Sequence, residues 1–568
     1  MTTNRMFSSQ EITRKTKKLH ITKIAGKLKI HKKYLTVFGD HTAKIDLSIL
    51  PVLPKPKAQY ILVTAVTPTL LGEGKTVTTI GLSMALNKLG ALSTVCLREP
   101  SLGPVFGIKG GGTGGGYSQV VPAEDINFHF TGDIHAVGMA HNLAAAFLDN
   151  ALFKGNKPGI DPARIYWRRV LDINDRSLRN IRIGLGTPAD GIPRDSGFDI
   201  TASSEIMSIV ALSADMADLR RRLSRMVMAE TRDSRPVSAD DIKVTGCMAA
   251  ILKDAIKPNL VQTLENTPCF VHTGPFANIA HGSSSLIADR IALSLSDYVV
   301  TEAGFGADSG AEKFFDIKCR ASGSLPDAAV VVCSVRALKI HSGRFAVKAG
   351  KRLPEDLHRE DLEALKEGMG NLEKQIENVK MFGIPVVVCV NRFETDSDRE
   401  IDLIREKSLA AGADDCQVST VWKDGSKGGL DLARSVMRCA KKEKQFKFLY
   451  PLDRPIKEKI KTIACSMYGA ADVSYTPETE EKIRLFTGRG WDALPICMAK
   501  TQLSLSHDPV LKGRPKDFIL PVRDIRASIG AGFLSPVCGS IQTMPGLPSV
   551  PGGEMIDVDC EGNVIGLL

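Results

Sequence analysis

The sequence predicts an α/β protein with a mostly parallel sheet and helices on both of its faces. Two observations carry this. Continuous apolar runs rich in Val and Ile recur at 60–66 (YILVTAV), 92–97, 269–272, 297–301, 328–334 and 384–390. Helical patterns lie between several of them, at 80–89, 283–295 and 361–382. An unbroken apolar strand is one buried on both faces, as in a parallel sheet; a half-exposed strand alternates. Strand–helix alternation supplies the crossovers that parallel pairing needs.

The first run leads into the most informative stretch, 67–79 (TPTLLGEGKTVTT). A strand, a glycine-rich turn, Lys-Thr and then a helix is the arrangement that holds a nucleotide's phosphates. Gly72 and Gly74 let the backbone turn its N–H groups inward. The helix start adds partial positive charge at the same spot. The whole loop, Thr69, Leu70, Leu71, Gly72, Glu73 and Gly74, is expected to wrap the phosphates. Lys75 reaches the terminal ones and the Thr76 hydroxyl ligates Mg²⁺. Thr69 stands where the usual pattern, G-x-x-x-x-G-K-[ST], has glycine. The flanking strand and helix still favour a P-loop NTPase-like sheet over an ordinary turn that happens to carry Gly-Lys.

Later segments divide the chain. Between 142 and 264 helical patterns dominate, at 142–153, 203–229 and 245–257. This predicts a mainly helical insertion, 142–264, in a nucleotide-binding domain made of 1–141 and 265–450. A smaller C-terminal α/β domain, 451–568, opens with a long helix at 456–467 and ends in a turn-rich tail at 543–553.

Composition bounds the function. The 568 residues are 43% hydrophobic and 24% charged, which is ordinary globular usage. The net charge of +10 suits small anionic substrates. The basic runs at 220–225 (RRRLSR) and 441–447 (KKEKQFK) read as solvated helix faces, because no aromatic interleaving accompanies them. No nucleic-acid partner is expected. Twelve cysteines form no C-x-x-C pair, and several sit in apolar runs. They read as buried, reduced thiols of a reducing compartment. No apolar run is long enough for a membrane span, and none resembles a secretory signal. From Met1 to Tyr34 Glu11 is the lone acidic residue, which reads as an exposed basic helical arm rather than a transit peptide.

Other positions carry chemistry by their place. Arg98 and Glu99 directly follow the 92–97 run. Side chains at the carboxyl ends of parallel strands line the binding crevice, so Arg98 can clamp a carboxylate or phosphoryl group; on position alone a structural salt bridge is as good a reading. This exit is expected to neighbour that of the phosphate loop. The run 109–116 (KGGGTGGG) reads as backbone that approaches phosphate or substrate closely. His129, His135 and His141 recur every six residues, about 240° apart on a helix, so they do not form a metal face. Asp133, among small residues, is either a functional carboxylate or a helix cap. Phe393 and Trp422, after strand-like runs, read as core on position alone.

Together the blocks VTPTLLGEGKT, CLREPSLGPVFGIKGG, HFTGDIHAV, IKPNLVQTLENTPCFVHTGPFANIAHG, TEAGFGADSGAEKFFDIKC, PVVVCVNRFETD, CMAKTQLSLS and TMPGLP strongly resemble the formate–tetrahydrofolate ligase family, from about Ile21 to the C-terminus. The resemblance implies an enzyme of one-carbon metabolism. Formate attacks the γ-phosphate of MgATP to give formyl phosphate and ADP, and N10 of tetrahydrofolate then takes the formyl group. It implies Lys75 and Thr76 at the phosphates and Mg²⁺, Arg98 on formate and formyl phosphate with Glu99 beside it, and Asp133 near the folate. It also implies Phe305, Phe393 and Trp422 along the pterin or adenine pockets, which for Phe393 and Trp422 goes against the positional reading. A homotetramer, activation by a monovalent cation (K⁺ or NH₄⁺), a single-function form and a cytoplasmic location follow from the same resemblance. Leu70 and Val77 depart from the family's usual Pro and Thr or Ser, and neither carries assigned chemistry. A P-loop switch ATPase would share the Lys75 loop but has no use for the Arg98 and Asp133 blocks.

Overall fold

The computed structural model describes residues 7–109, 111–347 and 353–567, with the Lys109 side chain excepted. Among these, twelve strands form one sheet. In chain order they are β1 (Leu35–Phe38), β2 (Thr42–Ile45), β3 (Gln59–Ala65), β4 (Ser93–Leu97), β5 (Gly114–Gly115), β6 (Ser118–Val121), β7 (Asn259–Thr263), β8 (Pro268–Val271), β9 (Tyr298–Glu302), β10 (Ala328–Cys333), β11 (Val386–Asn391) and β12 (Asp415–Ser419). The spatial order is β1-β2-β7-β8-β4-β9-β3-β10-β11-β12, with β6 on β7 and β5 on β6. Every pairing from β8 to β12 is parallel, and the pairings of β1, β2, β5, β6 and the β7–β8 hairpin are antiparallel.

The apolar runs explain the two covered faces. Ile61, Val63 and Ala65 of β3 pack with Leu82, Ala85 and Leu86 of α1 (Lys75–Lys88) and with Leu432 and Val436 of the helix Leu430–Cys439. The alternate residues, Tyr60 and Leu62, enter the opposite core. That core also takes Ile291 from the helix Leu286–Leu295 and Leu372 and Ile376 from the helix Leu362–Lys380. A strand with both faces buried has no room for the alternation of a surface strand.

The insertion is less helical than expected. The helices Glu205–Leu212, Met216–Ser224 and Thr245–Leu252 are present, but the helix expected over 203–229 breaks and runs into the strand Val227–Thr231. That strand pairs with Pro236–Ser238 and Ile160–Ile165, and two further small sheets accompany it. The helix α2 (Asp133–Phe153) crosses the expected 141/142 boundary, and β7 rejoins the main sheet before 265. Partners supplied by remote segments decide these points, and a local pattern does not carry them. At the C-terminal end the strands Asp472–Tyr475, Ile519–Ser528 and Phe533–Cys538 form a separate three-stranded sheet.

From Phe7 on, the described part of the N-terminal arm is docked, not exposed. The helix Ser9–Lys15 buries Ile12 against Val121 and Leu264, and Gln119 Nε2 donates to the Ser9 carbonyl at 3.0 Å. The basic runs also have structural partners. Arg222 bonds Asp218 at 3.0 Å and the Ala531 carbonyl at 2.9 Å, and Lys442 pairs with Asp414 at 2.8 Å.

Glu205, first residue of Glu205–Leu212, ties the insertion to the C-terminal sheet by accepting the N–H groups of Gly530 (2.7 Å) and Ala531 (3.2 Å). Burial pushes its carboxyl up to about 7, against those two hydrogen bonds. The folded state therefore holds this proton more tightly than the unfolded chain. The contribution is full below about pH 4.5 and is lost as pH rises to about 7. Glu205→Gln keeps an acceptor oxygen and removes the ionisation. In urea unfolding its stability should lose about 2 kcal/mol less than the native protein between those limits; parallel curves would contradict the assignment.

Candidate active site

The phosphate-type loop leaves β3 at the carboxyl edge of the sheet and is fixed at its first residue. The Thr67 N–H donates to Asn371 Oδ1 at 3.0 Å, while its hydroxyl accepts from Asn371 Nδ2 (2.9 Å) and Gln375 Nε2 (3.1 Å). The Thr67 carbonyl accepts from His341 Nε2 at 2.8 Å; burial lowers the His341 pKa to about 4 and keeps the ring neutral. Gly72 and Gly74 are left-handed, φ +73° and +78°. Thr69 is not among the left-handed residues, so its place in the pattern needs no glycine. Its N–H and hydroxyl both donate to Glu73 Oε1, at 2.6 and 3.0 Å, which closes the loop on itself. Gly74 opens α1 with no side-chain cap, so the first-turn N–H groups are left for another acceptor. A Cβ on Gly74 would lie 2.2 Å from Asn391 Nδ2, at the end of β11.

The exits of β3 and β4 are not adjacent, contrary to the sequence expectation: β9 lies between them. Its last residue, Glu302, joins them instead. Glu302 is buried, 5% exposed; it accepts from the Thr76 hydroxyl at 2.7 Å on one side and meets Arg98 Nη2 at 3.5 Å on the other. Lys75 Nζ donates to the Phe305 carbonyl, three residues on, at 3.0 Å. Arg98 Nη1 also donates to the Pro275 carbonyl at 3.1 Å. The two cations thus converge on 302–305. Burial lowers the Lys75 pKa; Glu302 and Glu73 oppose that, and Arg98 adds to it. Gly304 leaves room for the guanidinium, because a Cβ there would lie 3.0 Å from Arg98 Nη1 and 2.7 Å from the Ala277 Cβ. Phe305 itself is left-handed at φ +62°, a conformation that a bulky residue holds only when its surroundings dictate it.

Glu99 and Asp133 belong to a neighbouring buried cluster. Lys44 Nζ binds both Asp133 oxygens at 2.7 and 2.8 Å, and Asn259 Nδ2 adds a third hydrogen bond at 2.8 Å. Burial raises the Asp133 pKa, with Lys44 opposing. Burial and then the Asp133 charge push Glu99 much further up, with Lys44 again opposing. Asp133 is therefore a held group at the start of α2 rather than a free one.

The aromatics flank the loop along the same edge. Phe393 follows β11, and the Arg336 guanidinium lies over its ring at 3.5 Å. Trp422 follows β12 and is 41% exposed. The glycine run packs against it: a Cβ on Gly116 would lie 2.1 Å from the Trp422 carbonyl and 2.7 Å from its ring. So Gly114–Gly115, as β5, and Gly116 seat Trp422, which makes this part of the stretch ordered backbone rather than linker; Gly110 lies outside the described residues. His141 bonds Ser204 and the Arg168 carbonyl, away from this edge.

Sequence reasoning missed Glu302, Lys44, Asn371 and Gln375. Glu302 was detectable, as a carboxylate closing the apolar run YVVTE. The other three act across 89 to 308 residues of chain and leave no local trace.

The arrangement defines a class: an α/β enzyme with a glycine-bearing strand–loop–helix of the phosphate-binding type, a hydroxyl–carboxylate pair and an arginine at one sheet edge. The family model for formate–tetrahydrofolate ligase matches residues 7–568. The chain is 52% identical to formate–tetrahydrofolate ligase 3 of Rubrobacter xylanophilus, over 99% of this chain and 100% of that one. It is 53% identical to the formate–tetrahydrofolate ligase of Roseiflexus sp. (strain RS-1) and 52% to that of Desulforamulus reducens, over 99% of this chain and at least 99% of each relative. The chain belongs to the formate–tetrahydrofolate ligase family.

Removing the carboxylate at this junction leaves Arg98 without its carboxylate partner and Lys75 with Glu73 alone to offset the nearby arginine charge. Glu302→Ala is expected to lose about 1–3 kcal/mol in thermal or urea unfolding. Inorganic phosphate should restore more stability to the variant than it adds to the native protein. Undiminished stability with equal phosphate effects would show that the junction does not exist.

Proposed function

We propose that this chain ligates formate to N10 of tetrahydrofolate at the expense of ATP, through formyl phosphate. The observation that supports this most is the convergence of Lys75, Thr76 and Arg98 on the segment 302–305 at the carboxyl edge of the sheet. In this reading the sheet is of the P-loop NTPase type, and the loop from Thr69 to Gly74 wraps the phosphates of ATP.

In the first step a formate oxygen attacks the γ-phosphorus, the bond to the β-phosphate oxygen breaks, and ADP leaves. Formate and triphosphate repel each other. Arg98 on formate and Lys75 on the terminal phosphates offset that repulsion and hold the reacting atoms in line. In the second step N10 attacks the formyl carbon. The tetrahedral oxyanion sits by Arg98, the carbon–oxygen bond to phosphate breaks, and N10 loses its proton. Glu99 and Asp133 position this edge through the Lys44 cluster. Phe305, Phe393 and Trp422 supply ring faces for pterin or adenine.

Thr76 Oγ1 and Glu302 Oε2 are hard oxygen donors 2.7 Å apart. Neighbouring ligands of an octahedral Mg²⁺ lie about 2.9 Å from each other, so the pair suits that ion, which when bound neutralises phosphate charge. The reading extends to a cytoplasmic homotetramer activated by K⁺ or NH₄⁺, and to a division into a nucleotide-binding domain, an insertion and a C-terminal domain. Among the described residues no helix is long and apolar enough to cross a membrane.

The test is an absorbance assay for 10-formyltetrahydrofolate with ATP, formate and folate omitted in turn. Lys75→Ala should abolish the ATP-driven reaction and spare much of the transfer from supplied formyl phosphate; equal loss in both would contradict the assignment. Arg98→Ala should remove formate-dependent turnover. Retained turnover with an unchanged formate requirement would refute its role.

A further inference from the structure

A second cavity, of about 340 Å³, lies apart from this edge. None of its lining residues belongs to the phosphate loop, to 302–305 or to the Lys44 cluster. The link between the two is the loop 273–284, whose Pro275 carbonyl holds Arg98 and whose Ile279 lines the cavity. The volume is within the range of about 300–1,000 Å³ typical of small-molecule sites. The insertion and the C-terminal region build most of the wall, with His141 and Ile279 completing it.

Two aromatic pairs face this space. From the insertion, Trp167 stacks on His141, centroids 4.1 Å apart and planes at 16°. Their polar edges are already used. Trp167 Nε1 donates to the His141 carbonyl at 3.2 Å, and the His141 nitrogens engage Ser204 (2.8 Å) and the Arg168 carbonyl (2.9 Å). Burial lowers the His141 pKa to about 4, so the ring is neutral. From the C-terminal region, Phe486 and Trp491 pack with centroids 5.3 Å apart. The Arg489 guanidinium lies over the Trp491 ring at 4.9 Å, and the ring surface that these residues have left to offer is uncharged.

The charges of the lining are balanced and paired. Arg168, Lys482, Arg489 and Arg526 face Asp199, Glu205, Glu230 and Asp524. Arg489 meets Glu230 at 2.8 Å, Lys482 meets Asp524 at 2.6 Å and Arg168 meets Asp199 at 3.4 Å. A polyanion would meet as many carboxylates as cations. A purely aliphatic ligand would cover these polar edges without bonding them, which costs free energy. A flat ring with donors and acceptors around its rim fits both features, since arginine and carboxylate groups bond heterocycle edges in pairs.

We propose that this cavity is a second ligand site, for an uncharged bicyclic nitrogen heterocycle of the nucleobase or pterin type, stacked on the Trp167 and Phe486–Trp491 faces and edge-bonded by the Arg489–Glu230 pair. The proposal stands apart from the catalytic reading, since it uses none of that site's residues.

The experiment is calorimetric and tryptophan-fluorescence titration of the full enzyme with adenine, hypoxanthine and pterin as probes and no other nucleotide or folate present. Binding at the catalytic edge is told apart by the cavity variants, which leave that edge intact. One probe or more should bind saturably, one per chain, and which ring binds separates the nucleobase from the pterin source. Of the chain's three tryptophans, Trp167 and Trp491 line this cavity and Trp422 does not, so quenching should persist in Trp422→Phe. Ala527→Phe, which fills the space, and Trp491→Ala, which removes a face, should each weaken binding at least tenfold while ligase turnover stays within twofold. The two variants sit on different elements, and circular dichroism shows which are folded; loss of binding in either folded variant supports the site. No saturable binding by any probe, or unchanged affinity in the folded variants, would overturn the proposal.

Discussion

The site depends on one buried carboxylate placed between two cations. Glu302 ends β9, and β9 separates the strand that launches the 67–74 loop from the strand that Arg98 follows. Without an anion there, a lysine and an arginine drawn to one segment would repel each other in a partly desolvated space. With it, Thr76 and Arg98 are held from opposite sides of one residue, and Lys75 is held three residues further on. The parallel sheet makes this possible, because it brings every one of these carboxyl ends to the same edge.

Rigidity around that junction comes from remote contacts. Thr67 is fixed by three side chains from two helices, and Gly304 and Gly74 give up side chains so that Arg98 and Asn391 can approach. Loops that carry chemistry work when a packed scaffold dictates their geometry. Here the scaffold reaches the loop through neutral amides and a neutral histidine, which add no competing charge beside the loop.

Much of the fold was legible in the sequence. The runs that became β3, β4, β8, β9, β10 and β11 have no alternation because both their faces are buried, and no boundary shifted by more than two residues. β7 was missed because NLVQT mixes polar and apolar residues and gains its place only by pairing with β8, β2 and β6. The docked N-terminal helix was misread because its basic composition hides the one face that carries Ile12. The Lys75–Thr76 loop was visible as a motif and Arg98 as a strand exit. Glu302, one residue past the expected run, drew no reading, and Trp422 and Phe393 read as core until the family resemblance entered. Asp133 stood out in sequence as a lone carboxylate, yet its fate was set by Lys44 and Asn259.

The central claim is that the two cations hold a single mixed anhydride of formate and phosphate. Turnover with formate carrying ¹⁸O in both oxygens tests it most directly. The account predicts that each phosphate released carries one labelled oxygen, because the formate oxygen that attacked phosphorus leaves with it. Phosphate free of label, with both labelled oxygens lost elsewhere, would contradict it.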